Sequence, residues 1–190
     1  MILLFAVAVG LLVTILRAKL TGRHLKPINL KLVWLVFLAV LPQIILFEIP
    51  ALGRHVPDSQ IPIILVLSQV LLLEFAIANL NQLGIRVLGI GLFANLLAIV
   101  FNGGWMPISP DIVRRIVPAL PADYPLVDHR LGLSKDWIYA NDDIRLSWLA
   151  DRFTLPTWIP YQVAFSIGDV LIAIGTIWLL WSLSDPEKRR

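Results

Sequence analysis

The sequence has 190 residues, of which 58% are hydrophobic and 15% are charged, and its mean hydropathy is +0.80. Soluble domains are only about 45–50% apolar, so this composition excludes an ordinary soluble protein and predicts one membrane domain over residues 1–190, with the lipid bilayer as its partner. The net charge of +3 comes from basic residues at the ends of apolar stretches, which argues against nucleic acid as a partner. The absence of cysteine excludes disulfides, thiolate catalysis and cysteine-ligated metal centres.

Five apolar stretches, each about long enough to cross a bilayer, make up more than half of the chain. They cover residues 2–18, 30–49, 61–80, 83–101 and 158–183. A lipid-exposed backbone must satisfy its own hydrogen bonds, and these runs are too continuous for the strands of a barrel. The sequence therefore predicts an all-α polytopic membrane protein with five transmembrane helices and a partly helical outer loop at residues 102–157.

Basic residues predict the orientation of these helices. They gather in the first loop, at the start of the fourth stretch and in the C-terminal tail. Because basic loops stay in the cytoplasm, an odd number of spans places the N-terminus outside and the C-terminus inside. The first stretch has no basic segment before it, so we expect an uncleaved anchor rather than a signal peptide. The residues that set this orientation are Arg17, Lys19, Arg23, Lys26, Lys31, Arg86, Lys188, Arg189 and Arg190.

Ionisable residues inside the apolar stretches point to function, because each costs at least a few kcal/mol near the bilayer centre unless it is paired or wetted. Glu74 lies in the third stretch and Arg86 at the start of the fourth. The turn between these stretches is very short, so the two helices are antiparallel neighbours and the two side chains are predicted to form an ion pair. The pair can be a clasp that holds the hairpin together, or a proton-relay or gating pair.

The fourth stretch carries a stripe of small and polar residues and ends in a tight turn. Gly91, Asn95, Ala98 and Asn102 recur at helical spacing, and small residues let helix backbones approach closely. The N-G-G-W-M-P segment at residues 102–107 then permits a left-handed helix cap, with its tryptophan at the membrane interface and its proline preventing the helix from resuming. The segment is interpreted as a helix terminator, with a backbone-lined binding turn as the alternative.

The outer loop contains two helix-start signals. Ser109 precedes Pro110 and Asp111, which predicts a short helix that stops at Pro118. Asn141 begins a second segment, in which four apolar residues recur at helical spacing. The sequence predicts two short amphipathic helices over the mouth of the bundle. The apolar residues of the second helix are Leu146, Leu149, Ala150 and Phe153.

Asp169 is predicted near the middle of the fifth stretch, without a basic residue at its own depth in that helix. Ser166 lies on the same face, and Asn95 or Asn102 of the fourth stretch is predicted to hydrogen-bond the carboxyl group. Two interpretations remain open. The cluster can be a buried network that fixes the packing of the helices, or a ligand or proton site open to the outside.

Three short motifs occur in order along the second half of the chain. They are N-G-G-x-M-P at residues 102–107, L-x-W-L-x-D at residues 146–151 and S-I-G-D at residues 166–169. Together they resemble a bacterial integral-membrane family of unknown function, the family numbered 5317. The resemblance implies the same architecture over nearly the whole chain and a location in the bacterial inner membrane, but it implies no activity. Where that family often has a glycine before the loop aspartate, this chain has Ala150.

These observations favour a non-enzymatic membrane protein, either an accessory subunit or a small-ligand-binding protein, with a polar cluster near the outer leaflet. No cofactor, metal site or catalytic residue is predicted, and another membrane subunit or a second copy of the chain is the expected protein partner. The alternatives are a small proton-coupled permease that uses Asp169 and the Glu74–Arg86 pair, and a membrane enzyme in which Asp151 swings over Asp169. The candidate ligand-binding residues are Asn95, Asn102, Gly103, Gly104, Met106, Asp151, Ser166 and Asp169.

Overall fold

The structure is a computed structural model that describes residues 2–27, 29–121 and 123–184, so the basic tail predicted to be cytoplasmic lies outside the described residues. Five apolar helices occupy the five predicted stretches, and two short helices lie between them. The helices are α1 (Ile2–Thr21), α2 (Val33–Phe47), α3 (Pro50–Gly53), α4 (Ile61–Ala78), α5 (Leu83–Phe101), α6 (Pro110–Ile116) and α7 (Ile167–Trp181).

Three helical segments of the described chain are long and apolar enough to cross a membrane. They are α4, α5 and the segment Ile167–Ser184 that begins with α7. The apolar helix α2 is shorter, at 15 residues, and contains Pro42. The chain is thus a helical protein of the membrane class, and the crossing of the bilayer by all five apolar helices stays a prediction.

The five apolar helices form one bundle with α5 at its centre. α5 packs against both α4 and α7, while α1 packs on α7 and α2 packs on α4. Contacts at one end join the first loop to the other helix ends, because Asn79 exchanges hydrogen bonds with the backbone of Lys31 and the Lys26 amide donates to the Leu183 carbonyl. We call this end the far end. The basic residues of the first loop and Arg86 therefore lie at the same end of the bundle.

Glycines let α5 and α7 approach to backbone contact. A Cβ atom added to Gly91 would lie 2.5 Å from the carbonyl oxygen of Gly168, and one added to Gly84 would lie 2.7 Å from that of Gly175. Real Cβ atoms cannot approach so closely, so a side chain at these positions would separate the helices. The predicted small and polar stripe of α5 therefore faces α7, which runs antiparallel to it.

Residues 102–166 form a cap over the opposite end of the bundle, which we call the cap end. The cap contains two small sheets, and the prediction of an all-α fold was wrong for this part. The first strand pairs with a strand 30 residues further along the chain, and every strand has only two or three residues, so the local pattern carried little signal. A three-stranded sheet has the order β1 (Met106–Ile108), β3 (Asp136–Ile138), β2 (His129–Arg130), and β4 (Phe153–Thr154) pairs with β5 (Ala164–Phe165).

One of the two predicted cap helices is present. Ser109 caps α6 as predicted, because its hydroxyl accepts a hydrogen bond from the Ile112 amide. The second predicted helix was wrong, since residues 141–152 contain two short 3-10 helices and no α-helix, and Leu146 between them has a φ of 53°. The backbone N–H and C=O of Arg145 both bond to the side chain of Asn102, so neither group is available for helix formation.

The last helix begins later than predicted. The apolar stretch was expected to be helical from residue 158, but α7 begins at Ile167, with Ser166 as its N-cap. The Ser166 hydroxyl accepts from the Asp169 amide while the Asp169 carboxylate accepts from the Ser166 amide, which is a capping box. Asp169 therefore lies in the first turn of α7 at the cap end, and its predicted position near the middle of a membrane helix was wrong.

Candidate functional site

The cap ends of α5 and α7 bring three predicted site residues together. The amide nitrogen of Asn95 donates to Oδ1 of Asp169 at 2.9 Å, and the hydroxyl of Ser166 donates to Oδ1 of Asn95 at 2.9 Å. The predicted contact between Asn95 and Asp169 is therefore present. With the capping box, these bonds hold the Asp169 carboxylate in one position between the two helices.

Lys135 connects this group to the cap. Its Nζ atom lies 3.2 Å from Oδ2 of Asp151 and 3.8 Å from Oδ2 of Asp169. Asp151 is positioned by its amide, which donates to the Pro107 carbonyl at the edge of β1. Sequence reasoning missed Lys135, although one signal was available: it is the only lysine among residues 102–157. We call the following residues the charged cluster: Asn95, Lys135, Asp136, Asp151, Ser166 and Asp169.

The charged cluster buries more negative than positive charge. The side chains of Asp151, Asp169 and Lys135 are 1%, 21% and 31% exposed, and Asp136 is also buried. Asp136 accepts a hydrogen bond from the Ser134 hydroxyl at 3.0 Å. Within the described residues, Oδ1 of Asp136 and Oδ1 of Asp151 have no hydrogen-bond donor. If all three carboxyls were ionised, the single ammonium would leave two negative charges uncompensated, which is costly in a buried site.

Burial is the largest influence on the protonation of this cluster. It raises the pKa of Asp151 well above its ordinary value, because the opposing effect of the Lys135 ammonium is offset by the nearby carboxyls of Asp136 and Asp169. Burial also raises the pKa of Asp136. For Lys135, burial by itself would lower the pKa, but the three carboxyls raise it above its ordinary value. The lysine therefore stays charged, and Asp151 is the acid best placed to hold a proton.

Asn102 forms hydrogen bonds with residues of the cap and none with Asp169. Its side chain bonds to the backbone of Arg145 in both directions, at 2.8 and 2.9 Å, and its carbonyl accepts from the Tyr139 hydroxyl at 2.7 Å. Asn102 thus ties the end of α5 to the cap. The part of the prediction that offered it as a partner of Asp169 was wrong.

The turn after α5 is a helix terminator packed into the core. Gly103 and Gly104 have φ values of 68° and 89°, as a left-handed cap requires, and the Gly104 amide donates to the Ile99 carbonyl. Gly104 lies against Pro62, and Met106 is fully buried. Trp105, which was expected at the membrane interface, is also buried and packs against Trp137, with 5.2 Å between the ring centroids and the ring planes tilted by 39°. The geometry favours the structural interpretation of this turn.

The predicted ion pair between Glu74 and Arg86 is not formed. Among the residues that the structure describes, no ion pair within 4.0 Å joins them, and both side chains are exposed. The guanidinium of Arg86 instead donates from Nε to the Leu80 carbonyl at 2.6 Å. That carbonyl lies in the turn between α4 and α5, where the backbone oxygens have no helical partner, so the local acceptor satisfies Arg86 without Glu74.

Comparison with models of known families identifies the family of this chain. The model of a family of unknown function, DUF5317, matches residues 27–181. The chain belongs to this family. The matched residues include α2, α4, α5, the cap and α7, so the whole charged cluster lies inside the DUF5317 region. Searches of the curated proteins and of the solved structures found no match. Membership of DUF5317 confirms the family predicted from the sequence, and the family description assigns no activity.

Proposed function

We propose that this protein is a non-enzymatic, multi-pass protein of the bacterial inner membrane that binds a small cationic ligand at its outer face through the charged cluster. The observation that carries this proposal is the surplus of buried carboxyls: three face one ammonium, and two of their oxygens have no donor among the described residues. A positively charged ligand removes the surplus. The basic far end supports a cytoplasmic position for that end, and hence an outer position for the cluster.

The proton is the cationic ligand that fits the cluster best. The ammonium of Lys135 already occupies the space between Asp151 and Asp169, which lie 3.2 and 3.8 Å from it. A proton needs no further space, and the raised pKa of Asp151 favours its uptake there. Lys135 and Asp169 are partly exposed, so water can reach the cluster from their side.

Infrared spectroscopy of the purified chain in lipid tests this proposal directly. A protonated buried carboxyl has its own C=O stretching band, and we expect that band to persist well above pH 4, the ordinary range of aspartate titration, which is centred at about 3.9. The substitution Asp151→Asn should remove the band. The matched control is Asp142→Asn, at an exposed cap aspartate, which should leave the band unchanged.

Two other results decide against proton binding. If the wild type has no such band above about pH 5, the cluster holds no proton and its surplus charge must be neutralised otherwise. Sodium or potassium ions that raise the thermal stability of the wild type but not of Asp151→Asn would then identify a metal cation as the ligand. Absence of both effects overturns the proposal.

A small proton-coupled permease is a second candidate, and the position of Asp169 supports it. This carboxylate belongs to α7, whose segment is long enough to cross a membrane, and it is 21% exposed beside the lysine of the cap. A proton bound in the cap could therefore be passed to a membrane helix. The missing contact between Glu74 and Arg86 removes the second half of the relay that the sequence predicted.

Proton flux in proteoliposomes distinguishes the two candidates. For a permease, an imposed pH gradient should collapse faster with the wild type than with empty liposomes, and Asp169→Asn should abolish that difference. Glu74→Gln is the matched control, because it also neutralises an acid on a membrane helix but lies outside the charged cluster. Flux equal to that of empty liposomes would exclude the permease and leave the binding protein.

A further inference from the structure

A second candidate site lies at the cap end, apart from the charged cluster. A cavity of about 420 Å³ opens between the chain that follows α3 and the β2–β3 hairpin of the cap. We call it the hairpin cavity. Its volume lies in the range of about 300–1,000 Å³ that is usual for small-ligand sites. None of its lining residues belongs to the charged cluster. The polar and aromatic lining residues include Arg54, Asp58, Asp128, His129, Arg130 and Trp137.

Arg130 is a buried cation built into the wall of this cavity. Its side chain is 6% exposed, and its guanidinium donates to the carbonyls of Ser134 and Leu133 at 2.7 Å and to Asp58 at 3.2 Å. The rings of Phe47 and Trp105 lie 5.6 and 5.7 Å from its central carbon. In the part of the chain that the structure describes, these bonds use one hydrogen on each nitrogen, so one N–H remains on each terminal nitrogen.

A residue with a strained backbone, Asp128, contributes a negative charge at the rim of the hairpin cavity. Asp128 has a φ of 64°, which is uncommon for a residue other than glycine. Its amide donates to the Ile138 carbonyl at 2.8 Å, so pairing with β3 maintains the strained backbone. Strain of this kind is found at ligand clamps more often than elsewhere. The carboxylate of Asp128 is exposed at the rim.

The charges that line the hairpin cavity cancel. Arg54 and Arg130 contribute two guanidiniums, and Asp58 and Asp128 contribute two carboxylates. A ligand with a single charge would be repelled by the two residues of like charge in the wall. A ligand that carries both a positive and a negative charge can pair with the aspartates and with the arginines. We propose that the hairpin cavity binds a small zwitterion, with an oxyanion near the arginines and a primary ammonium near the aspartates.

This chemistry has two sources at a membrane surface. A free amino acid carries a carboxylate and an ammonium, and the headgroup of phosphatidylethanolamine carries a phosphate and an ammonium. Thermal stability of the full chain in nanodiscs separates them. In one arm, phosphatidylcholine nanodiscs receive a mixture of the twenty common L-amino acids. In the other arm, phosphatidylethanolamine replaces half of the phosphatidylcholine and no amino acid is added.

Stabilisation in either arm supports the proposal and identifies the source. The apparent affinity should fall at least about tenfold in Arg54→Gln and in Asp128→Asn, because each removes one charge of the cavity. Asparagine tolerates the left-handed backbone of Asp128, so this variant should fold. The matched controls are Arg115→Gln and Asp142→Asn, at exposed cap residues away from the cavity, and they should bind like the wild type.

Three results would overturn the proposal. They are the absence of stabilisation in both arms, an equal effect of acetate or ethylammonium alone, and unchanged binding in both cavity variants. The outcome is independent of the charged cluster. The infrared band of Asp151 reports on that cluster alone, so failure of either proposal can be recognised without the other.

Discussion

The ammonium of Lys135 lies between a carboxylate of the cap and a carboxylate of the membrane bundle. Removing one member of a buried pair usually costs more than the pair contributes, because the remaining charge is left uncompensated. In this cluster the surplus is already negative, so Asp151 depends both on the lysine and on its own proton. Each of these charges therefore affects the stability of the contact between the cap and α7.

Stability should fall as the pH rises through the folded-state pKa of Asp151. Burial raises that pKa, so the folded chain keeps a proton that the unfolded chain releases above about pH 3.9. The stabilisation by this proton is fully present below the pKa of the unfolded state and is lost as the pH rises through the pKa of the folded state. Lys135 does not contribute to the change of stability with pH below this point, since its pKa is raised above the ordinary lysine value of about 10.4.

Thermal unfolding in detergent across a series from about pH 4 to pH 9 measures this slope. In Asp151→Asn the downward slope should be much smaller, whereas Asp142→Asn should keep it. The groups that face Asp151 are Lys135 and Asp136 of the hairpin and Asp169 of α7. If the wild type and Asp151→Asn lose stability equally with pH, another group is responsible.

At the scale of elements, the contact between α5 and α7 positions the charged cluster. Gly91, one helical turn before Asn95, and Gly168, next to Asp169, bring the two backbones together. Their close approach allows the hydrogen bond between those two side chains at 2.9 Å. The capping box of Ser166 then decides where α7 begins. The site is thus a product of helix packing and of one helix start.

Gly91→Ala should destabilise the protein and disturb the cluster. The added methyl would overlap the backbone of α7, and overpacking typically costs about 1–3 kcal/mol. Gly89→Ala is the matched control on the same helix, because its added Cβ would meet only Ala76 at 3.3 Å. Thermal unfolding and the Asp151 infrared band compare the two variants. Equal stability of both would contradict the packing described for α5 and α7.

The cap and the basic far end lie at opposite ends of a bundle whose helices alternate in direction. The Lys31–Asn79 bonds join the segment before α2 to the C-cap of α4 at the far end, and the packed pair Trp105–Trp137 lies at the cap end. A membrane across this bundle would separate the two ends. By the distribution of basic residues, the cap should face outward.

Single-cysteine labelling measures this arrangement, because the chain contains no cysteine of its own. In intact cells, a membrane-impermeant maleimide should label Asp142→Cys in the cap. It should label Lys19→Cys in α1 only after the membrane is permeabilised. Both positions are exposed, so accessibility within the protein does not distinguish them. The reverse pattern would invert the orientation, and labelling of both without permeabilisation would contradict a bundle that crosses the membrane.

Local patterns predicted the helical part of the fold well. α5 has the bounds that its apolar run indicates, and α6 begins at the capping residue Ser109, because continuous apolar runs and N-caps act within one or two turns of backbone. The partnership of Asn95 with Asp169 was also predictable, since a carboxyl group in an apolar stretch requires a polar neighbour. The predicted ion pair of Glu74 with Arg86 was wrong, because the arginine donates its hydrogen bond to the nearby Leu80 carbonyl instead.

Composition and periodicity were sufficient to predict a helical membrane protein with polar groups gathered near one end. The sheets of the cap, the bonds of Asn102 to the cap rather than to Asp169, and the place of Lys135 in the charged cluster became visible in the folded structure. Those features depend on contacts between residues far apart in sequence. The free energy of these contacts depends on strand pairing, charge pairing and desolvation in the folded state. Short-range sequence patterns contain little information about these effects.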